Sequence, residues 1–241
     1  MNPQLSAFLD RRPDVWRGDR FAGAPLPAVA SGHAALDREL PGGGWPRGAL
    51  TEILMDGQGL GEMTLLLPAL VRLREEGGWT LLVAPPHPLH APAWVAAGVD
   101  LARLVVVSPA PGGDALWALE QALASGAPAA VVAWSATADA RAVRRLQVAA
   151  AAGRALAFLF RPARAAAEAS AAPLRLRLAA GETGDLAVDI LKRRGPPPAA
   201  PLCLALPRPV RRHAHGQPLA GAPLRAPAAA RSLRPGLHPV A

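Results

Sequence analysis

Leu50–Leu67 reads LTEILMDGQGLGEMTLLL. An apolar run ends at Met55, glycines follow at Gly57, Gly59 and Gly61, and a second apolar run begins at Met63. Strand, glycine-rich turn and helix, in that order, outline a phosphate-binding loop. A working loop of this type reads G-x-x-x-x-G-K-[ST]. The stretch from Asp56 to Met63 reads DGQGLGEM, and only Gly61 matches. Asp56 stands at the first glycine, Glu62 at the lysine and Met63 at the hydroxyl residue. The expectation is a nucleotide-binding scaffold without its chemistry. No catalytic residue, no bound cofactor and no metal are expected, and function should lie in binding.

The replacements are unfriendly to a phosphate. The lysine of such a loop neutralises β/γ-phosphate charge, and the hydroxyl holds magnesium. Two unit charges ~4 Å apart interact by about 4 kcal/mol at an effective dielectric of ~20, so turning attraction into repulsion costs roughly twice that. Met63 offers sulfur where a hard cation wants oxygen. Thr64 follows one residue late, which turns its hydroxyl about 100° round a helix. A dinucleotide G-x-G-x-x-G reading fails as well, because its third glycine falls on Glu62.

On either side of the loop, apolar runs alternate with helical periodicity. Ser31–Leu40 reads as a short helix and Leu50–Met55 as the first core strand. Glu62–Glu76 reads as a helix with Leu66, Leu67, Leu70 and Leu73 on its inner face and Pro68 as a kink. Trp79–Ala84 and Leu104–Val107 read as buried strands, with a short helix at Ala93–Ala97 between them. The helix Gly112–Ser125, strand Ala129–Trp134, helix Ala138–Ala152 and strand Ala155–Phe160 follow. This pattern predicts an α/β fold, a mostly parallel sheet with helices on both faces. Leu174–Leu178 and Leu186–Leu191 alternate apolar and polar residues and read as a closing antiparallel pair.

The ends differ from this core. Residues 1–30 read as an N-terminal arm with a short helix at Pro3–Leu9 and an anchoring Trp16. The core domain is expected over residues 31–194. Residues 195–241 hold 11 prolines and six arginines without an acid, the signature of a disordered tail. Within it Pro201–Leu206 has the composition for one edge strand, though its prolines favour extended chain. Deleting residues 195–241 is expected to leave the core folded. The formal charge of +8 is placed unevenly: residues 192–241 carry Lys192, eight arginines and no acid. Such a segment can meet DNA phosphates or an acidic protein surface, weakly and with strong salt dependence. Arg208, Arg211 and Arg212 are its candidate contacts, and Arg141, Arg144, Arg145 and Arg161 are those of the body.

Other chemistry is excluded or weakly signalled. Cys203 is the one cysteine, which leaves no intrachain disulfide or thiolate cluster. His87 and His90 are spaced for a metal but lack a third ligand nearby. Asp37, Glu39 and Glu52 lie near the loop with no lysine or hydroxyl partner to organise them. No run approaches ~18 uninterrupted apolar residues, so no membrane span is expected. The charged first residues do not suit a signal peptide, so a cytoplasmic location is expected.

From about Ser31 to Ala180 the chain resembles the core of RecA-type recombinases. The pieces that carry the resemblance are SGHAALDRELPGGGWPRGALTEI, the loop itself, TLLVAPPHPLHAPAWVAAGVDLARLVVV and AAVVAWS. The resemblance implies a RecA-like, P-loop-NTPase type of sheet. It also implies four active-site elements, each changed here. Glu62 and Met63 replace the loop's lysine and hydroxyl. Pro86 stands at a catalytic glutamate's slot before His87. Trp134 ends the strand that should end in aspartate, and Phe160–Arg161 stand where a polar γ-phosphate sensor belongs. Within that superfamily the chain looks most like the ImuA branch of the SulA-like proteins, through the WPRGALTEIL approach, the atypical G-x-G-x-G-E loop and the Pro/Arg-rich end. That likeness implies a non-catalytic accessory of SOS-induced translesion DNA synthesis. Its partners would be an ImuB-like Y-family-type protein, an error-prone polymerase and RecA. A SulA-like inhibitor binding the division protein FtsZ and a live RecA-like repair ATPase are the alternatives the resemblance carries.

Overall fold

A computed structural model of the protein describes residues 27–57, 59–109, 114–181, 184–196, 198 and 200–206. Its centre is β3 (Ala49–Met55), seven residues of which all but the first are buried. β3 runs parallel to β7 (Leu156–Pro162) on one side and to β8 (Leu174–Ala180) on the other. The sheet has eight strands in the order β10-β9-β8-β3-β7-β6-β4-β5. β6 (Pro128–Trp134), β4 (Trp79–Val83) and β5 (Leu104–Val107) continue the parallel part. β9 (Leu186–Lys192) and β10 (Leu202–Leu204) add an antiparallel edge. The sheet is therefore mixed, with six parallel strands and two antiparallel ones. A separate two-stranded ribbon pairs β1 (Ala28–Val29) with β2 (Trp45–Pro46).

Successive side chains of a strand point to opposite faces, and the two apolar clusters follow that parity. Ile53, Met55, Leu82, Val132, Phe158 and Leu176 face one side. They meet α1 (Ala34–Glu39), α2 (Glu62–Glu75) and α3 (Ala91–Ala96) through Leu36, Leu66, Leu70 and Trp94. Leu50, Val83, Val131, Ala157 and Leu159 face the other side. There they meet α4 (Ala115–Ser125) and α5 (Ala140–Ala151) through Leu119, Leu123, Val143 and Leu146. Helices thus cover both faces, as continuous apolar strands require. Asp114 and Asp139 cap α4 and α5, each accepting a backbone N–H of the first turn, at 2.8 and 2.7 Å. Trp45 is fully buried beneath the sheet and meets Phe158 edge-on, with ring centroids 5.2 Å apart.

Several details depart from the sequence reading. Leu104–Val107 is an edge strand, not a buried one, and Val105 and Val106 are exposed. An LVVV run does not say which strand ends the sheet. The buried face of α2 uses Leu65 rather than Leu67, which is only partly covered. Pro68 sits inside α2 and the helix is continuous through it. Gly32 packs so closely on Pro68 that an added Cβ would lie 2.4 Å from its ring. The sheet also runs past residue 194. β10 pairs with β9, Leu204 is buried, and Leu202 and Leu206 pack on the core. The edge strand that the composition of Pro201–Leu206 allowed is thus present, and the expectation that the segment after residue 194 offers the core little apolar surface is corrected by three leucines. Apart from residues 27–30, the N-terminal arm with its expected helix and Trp16 lies outside the described residues, as do residues 207–241.

Candidate functional site

Ligands of parallel sheets bind beyond the carboxyl ends of the strands, and a crevice of about 620 Å³ opens there. The ends of β3, β4, β6 and β7 converge on it. The turn after β3 gives Asp56 and Gly57, and the start of α2 gives Glu62. Ala84 and Pro86 come from the segment after β4, Trp134 and Ser135 from the end of β6, and Phe160 and Arg161 from β7. Glu62, Pro86, Trp134 and Arg161, picked out separately along the chain, thus line one space. Met63 does not; its side chain packs against the apolar core.

The loop's conformation demands its glycines. Gly57, Gly59 and Gly61 have φ of 79°, 80° and 94°, the left-handed region where a Cβ is penalised. Gly61 is also the N-cap of α2. Backbone amides at such a loop favour anions, and here one of them is met from within. The Gly59 amide donates to Glu62 Oε1 at 3.3 Å. Glu62 Oε2 is buried without a hydrogen-bond partner. Asp56 Oδ1 accepts the Ala163 amide at 3.1 Å and ties the loop to the chain beyond β7.

The crevice walls are largely apolar. Trp134 stacks on Phe160 with centroids 5.2 Å apart and planes 10° from parallel. Ala84 holds φ at 52°, the one non-glycine positive φ among the described residues. A left-handed alanine costs on the order of 1–2 kcal/mol, and its amide is fixed by the Val107 carbonyl at 2.8 Å.

Beneath the crevice lies a buried charge network. Glu52, on the central strand, is fully buried. Its Oε1 accepts from Arg161 at 2.6 Å, and its Oε2 lies 2.8 Å from Arg175 Nε and accepts from the Ser170 hydroxyl. Arg161 also donates to the Ala138 carbonyl at 2.5 Å and to Glu168 at 2.7 Å. Arg175 donates to the carbonyls of Ala165 and Glu168 at 2.7 and 3.1 Å. Burial would push the Arg161 pKa down, but the hydrogen bonds to Glu168 and Glu52 and their charges outweigh it, so the net shift is upward. The acids near the loop are thus organised after all. Asp37 accepts the Ser31 amide at 2.7 Å, and Glu39 pairs with Arg193 at 2.6 Å. Their partners were invisible in sequence because most of them are remote along the chain. Only the Asp37–Ser31 bond, |i−j| = 6, was within local reach.

Of the other described candidates, Arg161 lines the crevice, whereas Arg141, Arg144 and Arg145 do not. Arg161 is buried and engaged internally, so its guanidinium is not displayed at the surface. Arg141, Arg144 and Arg145 are exposed on α5, and Arg145 pairs with Glu120 of α4 at 3.1 Å. Arg208, Arg211 and Arg212 lie outside the described residues. Cys203 is exposed. Among the described residues no three His, Cys, Asp or Glu side chains cluster as metal ligands. Among them, too, no helix is long and apolar enough to cross a membrane.

A family model described as the RecA N-terminal domain matches residues 18–145. Protein RecA of Chlorobium chlorochromatii is 36% identical over 115 residues, which cover 48% of this chain and 32% of that protein. Protein RecA of Chlorobaculum parvum is 37% identical over 115 residues, covering 48% and 33%. Protein ImuA of Caulobacter vibrioides is 36% identical over 132 residues, covering 52% of this chain and 53% of its own length. The match thus spans about a third of these RecA proteins and about half of the ImuA protein.

Proposed function

This chain belongs to the RecA N-terminal domain family, and we propose that within it the chain is an ImuA-like, non-catalytic accessory protein of damage-induced translesion DNA synthesis. The observation that carries the reading is Glu62. It stands where a phosphate loop needs lysine, and its carboxylate takes the Gly59 amide. A nucleotide's phosphates would meet a negative charge at that point instead of a positive one. Pro86, Trp134 and Arg161 line the same crevice and offer no general base. They also offer no magnesium-binding carboxylate, and both terminal nitrogens of Arg161 are engaged, by Glu52, Glu168 and Ala138. The similarity to an ImuA protein over half of each chain supports the finer assignment.

On this reading the degenerate loop is a pseudo-ATPase relic, and the domain works by contact in the cytoplasm. It bridges an ImuB-like protein, an error-prone polymerase and RecA. The basic residues 192–241 add weak, salt-sensitive attraction to DNA. The test is genetic. Deleting the gene should abolish damage-induced mutagenesis in the host, and a copy bearing Thr64→Ala, which removes the hydroxyl next to the magnesium-binding slot, should restore it, since no nucleotide is required. Undiminished mutagenesis in the deletion strain would refute the proposal, and so would filamentation of cells on overexpression, which marks a division inhibitor.

A further inference from the structure

The crevice has lost its suitability for phosphate, yet it remains open and is chemically biased toward a cation. Two carboxylates, Asp56 and Glu62, line it together with Arg161. Arg161 brings no net positive charge, because it and Arg175 are matched by Glu52 and Glu168, two cations against two anions. The balance of the crevice is therefore acidic. Glu62 Oε2 is buried with no hydrogen-bond partner, and a buried charged acceptor left unpaired is a costly arrangement that a donor would relieve. Trp134 and Phe160 form a flat stacked pair on the same wall.

We propose that this crevice receives an arginine side chain presented by a partner protein, with its guanidinium against Glu62 and its plane over Trp134. A carboxylate beside an indole suits guanidinium better than ammonium. Guanidinium is planar and weakly hydrated, donates in a fork, and stacks on aromatic faces while pairing with an acid. The apolar wall of Met55, Ala84, Pro86 and Pro162 fits the methylene stem of such a side chain. An anionic ligand meets charge of its own sign, and an apolar one leaves Glu62 Oε2 unpaired. The inference rests on the non-catalytic reading of the crevice and adds the chemistry of the partner to it.

The experiment uses the full chain labelled with 5-fluorotryptophan, followed by fluorine NMR. The Trp134 resonance is assigned with Trp134→Phe among the six tryptophans. The probes are acetyl-Gly-Arg-Gly-amide, its citrulline analogue of nearly equal shape without charge, and magnesium-ATP. The expected result is a saturable shift of Trp134 with the arginine peptide at millimolar concentration, none with citrulline, and at least fivefold weaker binding in Glu62→Gln. Unchanged resonances of the other tryptophans report that this variant is folded. A Trp134 resonance that the arginine peptide leaves unmoved overturns the proposal. Equal shifts with citrulline, or undiminished binding in Glu62→Gln, overturn it too. A Trp134 shift at micromolar magnesium-ATP overturns the non-catalytic reading as well, so the two failures are distinguishable.

Discussion

Glu52 is the residue whose environment is most demanding. A carboxylate in the middle of a central strand is tolerable only if its charge is matched, because an unpaired buried charge costs several kcal/mol. Arg161 and Arg175 approach it from β7 and β8, and Ser170 adds a hydroxyl. Glu52→Ala should leave two guanidinium groups buried without their common acceptor. Chemical denaturation should then show a loss of about 3–5 kcal/mol; a loss under about 1 kcal/mol would mean that water or Glu168 replaces the carboxylate. By contrast, Arg145 and Glu120 pair on an exposed surface, where such a bridge is worth roughly 0–1 kcal/mol. None of the Glu52 network was legible in sequence. Its partners are 109 and 118 positions away along the chain, and only the parallel pairing of β3 with β7 and β8 brings them together. The candidate site was more legible. Glu62, Pro86 and Trp134 each broke a local pattern that could be read alone. The internal bond from Gly59 to Glu62, the strained Ala84 and the stack of Trp134 on Phe160 needed coordinates.

At the scale of elements, the alternation of apolar runs and periodic helices located every core strand from β3 to β9. Continuous apolar composition signals a strand covered on both sides, but it does not give a strand's rank in the sheet. That is why β5, at the edge, looked the same as β6, near the centre. The C-terminal edge is where sequence and structure part most clearly. Residues 195–241 read as tail by composition, with Pro201–Leu206 the one stretch suited to an edge strand; there β10 pairs with β9, Leu204 is buried, and Leu206 reaches the loop, where a Cβ on Gly61 would lie 3.2 Å from its Cδ1. Two truncations separate these roles. Ending the chain after Leu206 should leave the denaturation midpoint unchanged. Ending it after Arg194 should cost at least about 2 kcal/mol, since fully burying one leucine alone is worth roughly 1.5–3 kcal/mol. Equal stability of the two truncated chains would show that β10 contributes nothing to the sheet.

For the molecule as a whole, we propose that this RecA-family domain keeps the outline of a nucleotide site and has turned its electrostatics around. A glycine loop joins β3 to α2, and a crevice opens beyond the strand ends. The loop's own carboxylate takes the place of an anion on the Gly59 amide. Titration calorimetry of the full chain with magnesium-ATP distinguishes the two polarities of the crevice. No binding tighter than millimolar is expected; a micromolar dissociation constant would mean that the crevice still accepts phosphate.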